Sequence, residues 1–536
     1  MTPDLILLFT DTQPRRLVGC HGNPAVKTPH IDTLAAEGTR FDRAHTACPL
    51  CTPARAALLT GMMPAKTGAY TNSQPLGDTI KTLGQRLRDA GYRTALIGKW
   101  HLDGHDYFGT GKCPDGWEDA YWYDGRRYMM ELSPEDAVAW RTEWTALEGL
   151  RRRGVTSELT WAHRITDRAE RFLAEDDSDP RPKLLVASYD EPHHPWTCPP
   201  EFVEPYLETK LPIGPSAFDT LENKPAHQRR WAENQFGVKD PTGWWSLPMM
   251  LGCTTFVDTQ IGRVVAAARA RAERAGRPLW IVFTSDHGDH LGAHRLNNKG
   301  PTGYEENVGV PLIVRAPGVP GGAVQKTTAS LVDLVPTFLQ AAGLPLPECL
   351  DGRPLQPLLG HGRVEAGRTA VAEYTRYEAG HDGFGGLEPL RMFVRDNWKL
   401  IINLHGTDEL YDLDQDPHEL TNRIDDPACA ATRDALHDAL IAWMYDRIDP
   451  QRGRPVGGTS VAPHRAARME SPPCARCRPT DTVRPTSTTT PGAPLAAWPR
   501  SSSSPRNEPP HRARKKPPTP AARSPSRSGS DPSSTV

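Results

Sequence analysis

Cysteine is scarce and scattered, ten residues in 536. Such spacing excludes the dense disulfide framework of a small secreted fold and agrees with a reducing compartment. No run of about 18 apolar residues occurs, so no membrane-spanning helix is expected. The opening residues, MTPDLILLFTDT, lack a basic segment, a long apolar stretch and a small-residue cleavage site. They do not read as a secretory leader, and a cytoplasmic location is the expectation. Net charge is nearly absent too, at −2, but the value hides two opposed regions. Residues 451–536 carry 15 Lys and Arg against 4 Asp and Glu, a surplus of +11 that leaves −13 for residues 1–450. An acidic body lacks the basic footprint that phosphate backbones require, so nucleic acid is not an expected partner.

What is present is length and alternation. A chain of 536 residues can bury a large core, and a big α/β body with an appended subdomain is the default. Leu5–Phe9, Thr94–Ile97, Leu184–Ala187 and Leu279–Phe283 are short apolar runs that read as buried strands. Each ends in polar residues: Asp11; Lys99 and His101; Asp190, Glu191 and His193; Asp286 and His287. Helical patterns lie between them, at Ile80–Ala90 stopped by Gly91, at Leu159–Phe172, and from Val257 through Ala268 ending at Gly276. Strands alternating with helices predict an α/β fold with a large, mostly parallel sheet flanked by helices, its polar groups converging at the carboxyl ends of the strands.

A smaller C-terminal α+β subdomain is expected from about Pro345. Thr369–Tyr377 and Met392–Asn403 read as strands with a turn at His405–Thr407, and Ala431–Met444 reads as a closing helix. The expected boundaries are 1–345, 346–449 and 450–536. The last segment is a basic tail rich in Pro, Ser and Arg, with 17 of the chain's 53 Pro in residues 451–536, and is expected to be disordered.

The most informative segment runs Cys48-Pro-Leu-Cys51-Thr-Pro53-Ala-Arg55-Ala-Ala-Leu-Leu-Thr-Gly61. Pro53 suits a first helical turn and Gly61 a helix stop, which puts Cys51 at a helix N-terminus, a position that favours an anion. Cys48 and Cys51 also have thioredoxin-like spacing, though the surrounding sequence lacks that fold's context. Asp11, Asp286 and His287 offer oxygen and nitrogen donors from strands distant in sequence, as a hard cation requires. Further blocks are Gly98-Lys99-Trp-His101, Pro192-His193-His194-Pro195, Lys299-Gly-Pro-Thr-Gly-Tyr-Glu-Glu306, and Leu410-Tyr-Asp-Leu-Asp-Gln-Asp-Pro-His-Glu-Leu-Thr-Asn422.

Cys-x-Pro-x-Arg followed by Leu-Leu-Thr-Gly, with these companions in order, resembles the formylglycine-dependent type I sulfatases of the alkaline-phosphatase superfamily across roughly residues 4–447. The resemblance implies a sulfuric ester hydrolase that splits a small-molecule or saccharide sulfate ester. It implies that a formylglycine-generating enzyme oxidises Cys51 to an aldehyde whose hydrate is the nucleophile. It assigns a divalent cation to Asp11, Asp286, His287 and modified Cys51, with Ca2+ expected and Mn2+ or Mg2+ open. It places Lys99, Lys299 and Arg55 on the sulfate oxygens. His193, with Lys299, would protonate the leaving oxygen, and His101 would remove the proton that expels sulfate.

Thr12 stands where the family commonly has a second adjacent Asp, and Gln13 could supply an amide oxygen instead. That departure keeps open a phosphonate monoester or phosphodiester hydrolase on the same fold. An unmodified Cys51 would leave a non-catalytic metal- or anion-binding protein. Trp117, Trp122, Tyr123, Tyr128, Trp161, Trp196, Trp231, Trp244 and Trp245 could form sugar-stacking walls, although aromatic side chains more often pack a core.

Overall fold

The computed structural model describes residues 1–175, 179–209, 214–234, 247–362, 364–377 and 387–452, all within one compact unit. The expected disorder of 450–536 falls outside these residues except at 450–452, and Trp244 and Trp245 fall outside them as well.

Thirteen strands occur among the described residues: β1 (Asp4–Thr10), β2 (Thr39–Phe41), β3 (Ala44–His45), β4 (Arg93–Gly98), β5 (Lys183–Ser188), β6 (Leu279–Ser285), β7 (Leu312–Arg315), β8 (Ala323–Gln325), β9 (Ala329–Ser330), β10 (Thr369–Tyr374), β11 (Leu390–Arg395), β12 (Trp398–Asn403) and β13 (Glu409–Asp412). Seven form one sheet in the order β4-β5-β1-β6-β7-β2-β8. β1 runs parallel to both β5 and β6, and β4 parallel to β5, while β7 is antiparallel to β6 and β2. The four apolar runs read from sequence are therefore the four adjacent parallel strands at one side of this sheet. Every residue of β1, β5 and β6 is buried, as both-face coverage by helices requires. One face packs on the helices Trp161–Ala174 and Leu247–Ala275 through Ile165, Phe172, Phe256 and Ile261; the other packs on Leu58, Leu59, Leu334 and Phe338.

The second sheet is antiparallel, β10-β11-β12-β13, and the helix Ala430–Asp446 covers it through Leu436, Leu440 and Met444. The single strand expected over Met392–Asn403 is a hairpin. Asp396, at φ 56°, turns the chain between β11 and β12, because an Asp-Asn pair tolerates the left-handed backbone that such a turn needs. This sheet buries Cys48, Leu50, Leu296 and Tyr304 against Ala372, Met392 and Ile401. It thus backs the chain on either side of Cys51 and Lys299. Each large side chain so buried contributes about 1.5–3 kcal/mol, enough to hold those segments in one place.

The eight cysteines described are free thiols. No helix among the described residues is long and apolar enough to cross a membrane.

Candidate active site

Parallel strands end on the same side of a sheet, so the residues just past β1, β4, β5 and β6 meet there. Asp11 follows β1, Lys99 follows β4, Asp190 lies beyond β5 and Asp286 follows β6. Gly98 makes the approach possible: at φ 116° it brings β4 so close to β5 that a Cβ would stand 2.0 Å from the Ser188 carbonyl oxygen.

Cys51 is the first residue of the helix Cys51–Thr60, whose ten residues are all buried and which Gly61 stops in the left-handed conformation. Asn72 Oδ1 accepts from Thr52 N at 3.1 Å and so satisfies one of the open amides at the helix start. The Cys51 Sγ lies 3.2 Å from His287 Nε2, 3.1 Å from Lys299 Nζ and 3.7 Å from Asp11 Oδ1. Burial and the Asp11 charge oppose ionisation of this thiol, but Lys299, Lys99 and His287 outweigh them and hold its pKa well below the usual range.

Arg55, on the same helix, is fully buried. Its Nε donates to Asp286 Oδ2 at 2.9 Å, its Nη2 to Asp11 Oδ2 at 2.7 Å, and its Nη1 to Ser188 Oγ and the Lys99 carbonyl, each at 2.8 Å. With its donors engaged in this way, Arg55 ties together the two aspartates by their Oδ2 atoms and leaves both Oδ1 atoms facing His287.

Those Oδ1 atoms lie 3.8 Å (Asp11) and 3.6 Å (Asp286) from His287 Nε2. His287 Nδ1 is 2.9 Å from the Gly288 carbonyl, which accepts its proton and turns Nε2 toward the carboxylates; burial disfavours the charge of the ring, but Asp286 outweighs it and raises its pKa. Asp11, Cys51, Asp286 and His287 offer ligand atoms that all lie within 4.8 Å of one another. Two carboxylates and a correctly turned imidazole fit a divalent cation, with the oxygen that would replace the Cys51 sulfur as a fourth donor. Gln13, whose amide oxygen could join these donors, is held in place by its neighbours. Its Oε1 accepts from Thr10 Oγ1 at 2.8 Å and its Nε2 donates to the Leu17 carbonyl at 3.1 Å, so the side chain is anchored beneath β1. Thr12, at φ 62°, faces the group: its hydroxyl donates to Asp11 Oδ1 at 2.6 Å and accepts from Lys299 Nζ at 3.3 Å.

Around this centre, Lys99 Nζ bonds Asp11 Oδ2 at 2.7 Å and Asp190 Oδ1 at 3.1 Å. Burial disfavours the charges of Lys99 and Lys299, yet Asp11, Asp190 and Cys51 raise the first, and Cys51 and Asp11 the second. His101, at φ 59°, is buried with Nδ1 lacking a hydrogen-bond partner among the described residues. Burial pulls its pKa down, a hydrogen bond to Cys51 offsets part of the fall, and a neutral ring results. His193 is half-buried, and His194, its neighbour in the sequence, is exposed.

Two contributors carry no sequence signal. Asn72 caps the Cys51 helix from a loop, and Tyr107 reaches Asp190 and His193 from an irregular stretch. Among the described residues the aromatic walls do not form: Trp117, Trp122, Tyr123, Tyr128, Trp161, Trp196 and Trp231 are each at most 8% exposed and belong to the packed interior.

A second gathering, His294, Glu306 and Glu419, is an ion-pair network rather than a metal centre. His294 bonds Asp219 at 2.6 Å, Arg16 Nη1 lies 3.4 Å from Glu306, and Lys399 bonds Glu419 at 2.8 Å, so its carboxylates already face cations.

The pattern of the Sulfatase family matches residues 3–344, and that of the N-sulphoglucosamine sulphohydrolase C-terminal region matches residues 292–445. The uncharacterised sulfatase YidJ of Escherichia coli (strain K12) is 43% identical over 450 residues, covering 84% of this chain and 88% of its own. The choline-sulfatase of Rhizobium meliloti (strain 1021) is 28% identical over 83% of this chain and 88% of its own. Among solved structures, the phosphonate monoester hydrolase of Agrobacterium radiobacter superposes with a TM-score of 0.63 at 25% identity, covering 83% of this chain and 96% of that one.

Proposed function

The chain belongs to the sulfatase family and is a sulfuric ester hydrolase, and from that premise we propose that it releases sulfate from a small-molecule or saccharide sulfate monoester at the centre built on Cys51. The observation that carries the reading is the meeting of Cys51, Asp11, Asp286 and His287 within 4.8 Å, with Lys299 Nζ 3.1 Å from the sulfur. A formylglycine made from Cys51 by a generating enzyme, and a divalent cation held by Asp11, Asp286 and His287, supply a nucleophilic oxygen and a Lewis acid.

The rest belongs to this chain's own side chains. Lys299 and Lys99 are fixed, buried cations, and away from bulk water they stabilise charge developing on the transferring group most strongly. Arg55 keeps the two aspartates in register. His193, at the rim, donates a proton to the leaving oxygen, and neutral His101, beside Cys51, accepts one in the step that frees sulfate.

One observation favours a second reading, phosphonate monoester or phosphodiester hydrolysis. Thr12 gives the centre one carboxylate fewer than two adjacent aspartates would, and the phosphonate monoester hydrolase shares the fold. Comparing kcat/KM for 4-nitrophenyl sulfate, bis(4-nitrophenyl) phosphate and the monoester 4-nitrophenyl phenylphosphonate decides. A preference for the sulfate supports the proposal; a preference for either phosphorus ester replaces it.

A further inference from the structure

Tyr107 touches three of the side chains that the reading above gives chemical roles, and it has none itself. Its ring centroid is 3.8 Å from Lys99 Nζ, 5.3 Å from the His193 ring and 5.8 Å from the His101 ring. Phe108 and Trp140 pack against it at 5.4 and 6.4 Å between ring centroids and fix its plane. Burial, reinforced by Asp190, holds the phenol pKa far up, so the hydroxyl keeps its proton and donates it to Asp190 Oδ1. The phenol oxygen then has lone pairs for His193 Nδ1, 3.2 Å away.

His193 Nδ1 is also 2.7 Å from the His194 carbonyl oxygen. A carbonyl only accepts, so Nδ1 must carry the hydrogen, and Nε2 is the nitrogen left for other partners. A continuous chain results: His193 Nδ1–H, the Tyr107 hydroxyl, the Asp190 carboxylate and, at 3.1 Å beyond it, Lys99 Nζ.

We propose that Tyr107 is a positioning residue that fixes the plane of His193, whose tautomer the His194 carbonyl sets, so that Nε2 presents its proton to the leaving oxygen. The inference rests on the reading of His193 as proton donor. In the step concerned the Nε2–H bond of the imidazolium breaks and the proton goes to the departing alkoxide oxygen. His193 is left neutral with its Nδ1 hydrogen in place, and Tyr107 and Asp190 exchange no proton. The ring of Tyr107 has a separable second task, a cation–π contact that steadies Lys99.

Tyr107→Phe keeps the ring and deletes the oxygen, so it separates the two tasks. The test is steady-state kinetics of wild type, Tyr107→Phe and His193→Ala on aryl sulfates graded from 4-nitrophenyl sulfate to phenyl sulfate. For Tyr107→Phe, kcat on phenyl sulfate should fall about ten- to hundredfold through misorientation of the acid. KM, and kcat on 4-nitrophenyl sulfate, should stay within about twofold of wild type, because an activated ester needs little proton donation. His193→Ala should show the same selectivity, more steeply.

An equal loss across the series, or none, overturns the role of Tyr107. If His193→Ala keeps the selectivity and Tyr107→Phe lacks it, this inference alone fails. If His193→Ala has no selectivity, the donor assignment fails and takes this inference with it. Should Tyr107→Phe be destabilised, the same series measured below its unfolding temperature, beside wild type at that temperature, decides by the same outcomes.

Discussion

The ammonium of Lys299 lies 3.1 Å from the sulfur of Cys51. Lys299 arrives on a loop after β6, and Cys51 opens a helix some 250 residues earlier in the chain. Only the folded sheet brings them together, and both are almost wholly buried. A cation so placed faces any charge that develops on a group transferred to this position. Lys299→Ala should therefore lower kcat/KM for 4-nitrophenyl sulfate by about a hundredfold or more. Lys299→Arg should not restore it, because a planar guanidinium cannot replace a compact ammonium in a closed pocket. A Lys299→Ala enzyme within a few-fold of wild type would remove Lys299 from the mechanism.

Arg55 makes the opposite kind of prediction, one of stability. Arg55→Met leaves the Asp11 and Asp286 carboxylates buried without their shared cation, a loss of about 3–5 kcal/mol in unfolding free energy. Excess divalent cation should recover part of that loss, since an ion that binds only the folded state stabilises it. Denaturant unfolding with and without added cation measures both effects, and an unchanged midpoint would show that Arg55 does not carry the pair.

These two basic residues mark where sequence reading succeeded and where it stopped. The four parallel strands were legible because both their faces are buried and their apolar runs are nearly unbroken. Their order in the sheet was not, because strand pairing leaves no local trace. Helix starts shifted: the expected Ile80–Ala90 is Leu83–Asp89, started by a Thr82–Gln85 capping box, and the helix expected from Val257 to its stop at Gly276 begins ten residues earlier, across Leu247–Ala275. At the site, residue types in motifs identified which side chains gather but not where each points. Arg55 faces inward to two aspartates, Gln13 is anchored by Thr10 and Leu17, and Tyr107 had no motif to betray it.

Ion dependence follows from the donor set. Chelation should abolish turnover, and Asp286→Asn should raise the cation concentration needed for half-maximal activity, because it removes one of two formal charges. Thr12→Asp places a third carboxylate beside Asp11 Oδ1 at a backbone angle that Asp tolerates, and should lower that concentration for Ca2+. Full activity in excess chelator would contradict the cation site.

Acid sensitivity has a named source. Burial, with the charges of His294 and Arg16, pushes His290 from 6.5 down to about 3, and burial, with Arg230, pushes His227 down to about 4. Each folded-state value lies below the unfolded one, so below pH 6.5 the unfolded chain binds more protons than the folded. The share of stability that depends on these two neutral rings is therefore full above that value and is lost as pH falls through it. Melting temperatures from about pH 7 to about pH 5 should show the decline, and His290→Asn should flatten it by removing one of these sites. An equal slope in wild type and His290→Asn would assign the acid sensitivity elsewhere.

Everything proposed for the reaction depends on the chemical state of Cys51, and one measurement reads it directly. The protein should be produced together with a formylglycine-generating enzyme, digested, and the peptide containing Cys51 analysed by mass spectrometry with and without an aldehyde-reactive hydrazide. The account predicts the aldehyde mass at position 51, a further shift on hydrazide treatment, and sulfatase turnover that rises in proportion to the aldehyde fraction across preparations. A preparation that hydrolyses 4-nitrophenyl sulfate at full rate while its Cys51 is wholly an unmodified thiol would contradict it.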